Sequence, residues 1–331
     1  MNRDDRDFLA RRRRLLAAAA GAAVASVLPA AARAQARFPL RAITLYGALP
    51  AGGIMDTHLR FLAERAQRTL GQPIVVEPKP GAGATLAPTF LLNAAADGHT
   101  LAAMTVNSLR YPHYQKTNYH PLKDWEYVIG LSNFTFAVAV KADSPHKTIE
   151  DLIAAGKSSP GKLSSSSTGH GGTGHLILLD MERATGARFT QVPFKGGPDA
   201  VAALLGGHID FITDGAQFAP LADEGRVRIL ALATEGASER FPGVPTLREK
   251  GIDAVGWSPY GILAPKGTPA DVIRTLHDAF KQAMDDPEHL PLLRKFIQPV
   301  WYKNSADYRA WAEKYFSEIR PTLVRAGLVK D

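Results

Sequence analysis

Ser164-Ser165-Ser166-Ser167-Thr168-Gly169-His170-Gly171-Gly172-Thr173-Gly174-His175 is the stretch on which the reading of this chain turns. It follows a strand-like start at Lys162 and Leu163 and precedes an apolar helical run over 176–181. A strand, a turn of hydroxyls and glycines, and a helix start together make an anion site. The first N–H groups of a helix have no intrahelical acceptor, and the helix dipole favours negative charge there. Glycine lets a ligand approach the backbone closely, and Ser and Thr add short donors.

Three further stretches share this build. Leu49-Pro50-Ala51-Gly52-Gly53-Ile54-Met55-Asp56 joins a predicted strand to a predicted helix. Gly52 and Gly53 permit close approach, and Asp56 falls in the first helical turn, where it either caps the helix or pairs with an ammonium on a ligand. Pro80-Gly81-Ala82-Gly83-Ala84-Thr85 precedes another helix, with a plain turn as the alternative. Val192-Pro193-Phe194-Lys195-Gly196-Gly197-Pro198 carries Lys195, either a counter-charge for an acid or a solvated loop cation. Asp214 ends a predicted strand where strand ends face a cleft; its alternative is to cap the next helix.

The apolar pattern alternates strands with helices. Strands are expected over 42–46, 73–77, 101–105, 134–140, 190–193, 208–213, 228–233 and 259–264. Helices are expected over 54–70, 85–95, 148–155, 199–205, 269–284, 287–296 and 306–326, with one more running to 184 after the serine-rich turn. Such alternation argues for parallel α/β sheets. The strand at 134–140 runs into Ala142-Asp143-Ser144-Pro145, and that at 259–264 into Pro265-Lys266-Gly267-Thr268-Pro269. If both cross between domains, residues 35–139 with 258–331 form one lobe and 140–257 the other. A ligand then lies in the cleft between them, and the two lobes can close on it.

The head of the chain reads as an export signal over 1–34. Arg11 to Arg14 precede an Ala-rich apolar run to Pro29, and Ala32-Arg33-Ala34 offers a cleavage site. Arg12-Arg13-Arg14-Leu15-Leu16 also fits a twin-arginine pattern. The full chain has a formal charge of +7; residues 1–34 contribute seven Arg and three Asp, so +4 leaves with them and +3 remains. That mild excess, without a basic stripe, speaks against nucleic acid. The chain has no cysteine, so thiol catalysis and disulfides are excluded.

Enzyme signatures fail when tested against their mechanics. Gly169-His170-Gly171-Gly172-Thr173-Gly174 matches the dinucleotide fingerprint, but the next strand ends in Phe194-Lys195 where an acid is required. His170-Gly171-Gly172 resembles an esterase oxyanion loop, yet no G-x-S-x-G elbow accompanies it. His170 and His175 have no acidic cluster or H-E-x-x-H motif beside them, so no metal and no cofactor is expected.

With these residues in view, the mature chain resembles the Bug-type extracytoplasmic solute receptors of tripartite tricarboxylate transporters. The resemblance runs through Pro50 to Asp56, Leu70-Gly71-Gln72-Pro73, Pro80 to Gly83, Ala96-Asp97-Gly98-His99-Thr100-Leu101 and Tyr119 to Trp125. It continues through Val192 to Gly197, Leu204-Leu205-Gly206-Gly207-His208-Ile209-Asp210, Val244-Pro245-Thr246 and Ala264 to Pro269. It implies a type II periplasmic-binding-protein fold, two α/β lobes joined by two hinge strands, and a periplasmic location. It also implies a small organic acid held in the cleft, delivery to membrane transporter subunits, and a monomer. On matching positions the contacts fall at Gly52, Gly53, Asp56, Gly83, Ala84, Ser167, Thr168, His170, Gly172 and Thr173, with Lys195 and Asp214 added. Lys79 stands where Arg often precedes Pro-Gly-Ala-Gly, and Ala84 where Gly is common. Phe194, Trp257, Tyr111 and Tyr114 are candidate walls for an aromatic acid. Two other functions fit the cleft: an exported hydrolase, and a receptor that partners a membrane sensor.

Overall fold

The computed structural model describes residues 38–215 and 217–330. The expected export signal lies outside the described residues. From Arg41 onward the chain forms one compact unit built on two sheets. The first holds six strands in the order β11-β4-β10-β3-β1-β2. These are β1 (Ile43–Gly47), β2 (Ile74–Pro78), β3 (Thr100–Thr105), β4 (Trp125–Asn133), β10 (Pro259–Pro265) and β11 (Val300–Lys303). The second has five in the order β7-β6-β8-β5-β9: β5 (Phe136–Lys141), β6 (Ser164–Ser167), β7 (Thr190–Pro193), β8 (Phe211–Gly215) and β9 (Val227–Leu232). The longer helices are α1 (Ile54–Leu70), α2 (Ile149–Ser158), α3 (Thr173–Thr185), α4 (Gly197–Leu205), α5 (Ala270–Met284) and α6 (Ser305–Glu318).

The two sheets repeat one plan. β1 pairs in parallel with β2 and β3, as β6 does with β7 and β8. One antiparallel strand then follows in each, β10 beside β3 and β5 beside β8. No repeat is legible in the sequence; it exists in the topology.

The serines from 164 to 167, read as the start of the turn, form β6 itself. Ser165, Ser166 and Ser167 are fully buried. Small side chains suit this place because α3 comes down close on the neighbouring strand: a Cβ on Gly174 would lie 1.9 Å from the Thr213 carbonyl oxygen. Thr213 ties β8 to β6 within the sheet, its Oγ1 donating to the Ser166 carbonyl at 2.9 Å.

α1 spans the expected residues and buries Leu59, Leu62, Ala63 and Ala66. Two expected helices are broken, each at proline, which lacks an N–H and clashes with the preceding turn. The run 85–95 is a succession of short turns around Pro88, and 306–326 divides at Ile319 ahead of Pro321. β4 and β11 were not foreseen. β4 is followed after only two residues by β5, and the chain passes between the sheets at Asn133-Phe134-Thr135 with no glycine or proline to mark the switch.

That junction also places the crossings. The chain leaves the first sheet between Asn133 and Phe136 and returns between Leu232 and Pro259. Residues 136–139, assigned from sequence to the first lobe, pair within the second sheet. The strands foreseen as crossings, 134–140 and 259–264, instead begin at the crossings and then stay each in one sheet. The polar breaks after them are ordinary strand exits. At the crossing the Asn133 side-chain oxygen accepts from Ser258 N–H at 2.7 Å, and Phe134 N–H donates to the Ser258 carbonyl at 3.2 Å.

Candidate functional site

Between the lobes lies a cavity whose walls come from both sheets. Leu49, Gly53, Ile54, Ala84, Thr105 and Asn107 face it from the first; Thr168, Thr173, Gly174, Gly197, Asp214 and Gln217 from the second. Phe134, Phe136 and Ser258 close it at the crossing.

Two turns dominate, and they are conformational copies. In the β1–α1 turn Gly52 has φ +72° and Gly53 is the N-cap at φ −75°, ψ 171°. In the β6–α3 turn Gly171 has φ +72° and Gly172 is the N-cap at φ −65°, ψ 164°. Hydrogen bonds match one for one. Gly53 N–H donates to Pro50 O at 3.3 Å, as Gly172 N–H does to Gly169 O at 3.4 Å; Thr57 N–H to Gly53 O at 2.9 Å corresponds to Leu176 N–H to Gly172 O at 3.0 Å. The third helical residue reaches back in both: Asp56 Oδ2 accepts from Gly52 N–H at 3.0 Å, and His175 Nδ1 accepts from Gly171 N–H at 2.9 Å. Neither N-cap has a side-chain cap bond. At α3 the first amides are thus left for a guest, whereas at α1 the first, Ile54 N–H, already donates to Gln217 Oε1 at 3.3 Å; both dipoles favour an anion.

The charges differ. Asp56 is buried and its carboxylate is paired with Arg60 Nε at 3.0 Å. His175 is held neutral: burial, then the neighbouring His170, pushes its pKa down to about 4, which suits a ring nitrogen that accepts an amide proton. Behind Thr173 stands Arg110, 3 % exposed. Its guanidinium donates to Thr173 Oγ1 at 2.8 Å, Tyr315 OH at 2.6 Å and Trp257 O at 3.3 Å. Among the described residues no acidic side chain forms an ion pair with it, so its positive charge adds to the anion site.

Of the residues expected from sequence, Gly53, Ala84, Thr168, Thr173 and Asp214 line the cavity. Gly52, Asp56, Gly83, Ser167, His170, Gly172 and Lys195 do not. Asp56 stiffens its own turn. Gly83 is an interlobe contact: a Cβ there would sit 1.6 Å from the Tyr111 hydroxyl oxygen, and one on Gly169 would sit 2.8 Å from Gly83 Cα. Ser167 Oγ donates to the Gly169 carbonyl, His170 is exposed, and Lys195 is exposed on its loop. The aromatic walls are Phe134 and Phe136, not Phe194, Trp257, Tyr111 or Tyr114. Tyr114 instead donates to the His170 carbonyl at 3.0 Å. Sequence reasoning missed Arg110, Asn107 and Gln217, whose Oε1 accepts from Ile54 N–H at 3.3 Å across the lobes. No motif marks them, since each acts through a partner distant in sequence. Among the described residues no group of three or more His, Asp or Glu is placed to hold a metal ion.

Comparison with known proteins agrees with this architecture. The sequence profile of the tripartite tricarboxylate transporter family receptor matches residues 58–327. A curated relative from Cupriavidus necator, the UPF0065 protein in the gbd 5′ region, is 41 % identical over 305 residues, covering 92 % of this chain and 93 % of its own. Among solved structures, the periplasmic binding protein BugD has a TM-score of 0.84 at 26 % identity, covering 89 % of this chain and all of BugD. MatC from Rhodopseudomonas palustris with bound malate has a TM-score of 0.80 at 28 % identity, over 86 % of this chain and all of MatC. The chain belongs to the tripartite tricarboxylate transporter receptor family and has the two-lobe fold of the periplasmic binding proteins. It is a solute-binding receptor of the Bug type.

Proposed function

We propose that this receptor is exported, its signal removed over 1–34, and that it captures a small carboxylated metabolite between lobes divided near residues 134–135 and 233–258. It then delivers the acid, as a monomer, to membrane transporter subunits. The observation that carries this reading is the pair of matching turns facing one cavity. Each presents a helix N-terminus to it, and a buried guanidinium backs the one at α3, whose N-cap has no side-chain cap bond. Charge-assisted hydrogen bonds are the strong kind, so a few fixed donors hold a carboxylate without any catalytic group. MatC, of the same fold, is known with malate. The cavity is read as non-catalytic because the family is one of transporter receptors and the solved neighbours are binding proteins.

Thermal melting against succinate, malate, adipate and benzoate tests this. An acid at 100 times its dissociation constant stabilises by about 2.7 kcal/mol. Thr168→Val, which removes a hydroxyl from the cavity wall, is expected to weaken the shift. Stabilisation by metal ions or nucleotides alone, with every acid inert, would overturn the reading.

A further inference from the structure

Among the described residues Asp214 is the only ionisable side chain lining the cavity, and no cation in that described wall neutralises it. Aligning β1 and β6 on their glycine turns puts Ser165 over Tyr46. Ser165 pairs with Phe211 and Tyr46 with Ala102, so Thr213 falls on Met104 and Asp214 on Thr105. The two strand ends thus present equivalent positions to the cavity from opposite lobes. Thr105 is satisfied, its Oγ1 donating to the Ala84 carbonyl at 3.3 Å. Asp214 is not. It is 7 % exposed, its Oδ1 accepts only the N–H of Gly215 at 2.7 Å, and Oδ2 is buried without a hydrogen-bond partner.

Resting on the carboxylate reading above, we propose that Asp214 serves as a neutral acid, its Oδ2–H donating a hydrogen bond to the captured anion, so that each carboxylate captured while Asp214 is ionised brings one proton into the cavity. Two carboxylates in one desolvated space cannot both stay ionised. Burial holds the Asp214 pKa up, at about 6, against the opposing Gly215 N–H. The arriving anion raises it further. The elements around Asp214 supply no competing partner. β5 carries Lys141, which pairs with Asp143, and β6 carries only serines. α3 and its turn carry His175, bonded to Gly171, and exposed His170; α4 carries exposed Asp199. α1 carries Asp56, paired with Arg60. Arg110 is engaged by Thr173 and Tyr315, and Lys195 is exposed.

Titration calorimetry of the full receptor with malate and adipate, at pH 7 and pH 8 in buffers of different ionisation enthalpy, decides the matter. Wild type is expected to bind about tenfold more weakly at pH 8 than at pH 7, as a proton with a pKa near 6 requires, with uptake close to one proton at pH 8. Asp214→Asn, whose amide donates as the neutral acid does, is expected to bind with no pH dependence and at least as tightly as wild type at pH 8. Asp214→Ala is expected to bind more weakly than Asp214→Asn. An acid that binds equally at both pH values with no proton uptake overturns the inference and leaves the proposed function standing. So does tight binding of 4-aminobutyrate or aspartate that Asp214→Asn abolishes, since that outcome makes Asp214 an ionised partner of an ammonium. If neither acid binds at either pH and benzoate and succinate also fail, the proposed function falls instead.

Discussion

The β1–α1 and β6–α3 turns have the same backbone, the same glycine positions and the same hydrogen bonds, yet one is finished by Asp56 and the other by His175. The first carries a carboxylate already compensated by Arg60. The second carries an uncharged ring and is backed by Arg110. Equal backbone geometry therefore supplies two sets of amides, while the side chain three residues into the helix decides how receptive each is to negative charge. On this comparison the second lobe bears most of the anion's charge and the first mainly shapes the cavity.

The contrast extends to the second helical position, Met55 in α1 and Gly174 in α3. The largest expected effect follows from it. Gly174→Ala forces a methyl onto the Thr213 carbonyl, and urea unfolding should show a loss of about 3 kcal/mol, the upper range for overpacking. A loss under about 1 kcal/mol would mean that α3 is free to lift, and that the two turns are not equally rigid.

The lobes should also answer pH in opposite senses. In the first, His58 is wholly buried, with Nδ1 against Tyr260 OH at 2.6 Å and Nε2 against His289 Nε2 at 2.8 Å. Burial, then His289, lowers its pKa to about 3. The folded state resists a proton that the unfolded chain accepts near pH 6.5, so this stability is present above 6.5 and is lost as pH falls. The loss is on the order of 3 kcal/mol by pH 4, and His58→Gln should flatten the profile. In the second lobe Asp214 has the opposite sign. Its raised pKa gives stability that is full below about pH 4 and lost as pH rises through 6. Asp214→Asn should therefore stabilise the empty receptor by about 3 kcal/mol at pH 8 and have little effect at pH 4. Denaturant midpoints over pH 4–8 read both slopes.

Exchanging the two turns sharpens the comparison directly. His175→Asp gives the second turn the chemistry of the first without its arginine, and malate affinity should fall at least tenfold. A smaller change would shift the anion's seat to the first lobe. The smallest expected effect is at Ala84, which takes φ +68° after Ala82 at +46° and Gly83 at +60°. Side chains are strained there, so Ala84→Gly should stabilise the empty protein by up to about 1 kcal/mol in urea titrations.

Much of the fold was legible because its elements are local. The apolar face of α1 and the start of α2 beside Thr148 follow from residue spacing over a few turns. What failed was also local in cause: Pro88 and Pro321 interrupted runs whose apolar period looked continuous, and β4 passed into β5 across two residues with no glycine or proline to mark the switch between sheets. The site divides along the same line. Glycine-rich helix starts showed in the sequence because backbone amides follow from secondary structure alone. The contacts of Arg110 and Gln217, and the placing of Thr105 and Asp214 on one cavity, bring together residues far apart in the chain, and only packing creates them.

By itself, then, the sequence determined the alternation of strands and helices, the glycine turns, and kinship with a receptor family, all of which depend on short-range geometry and residue order. The tertiary structure alone decided which turns oppose each other, that Asp56 is spent on its own loop, and that Asp214 is buried without a counter-charge. Burial and charge pairing are properties of assembled surfaces, and no single stretch of chain contains them.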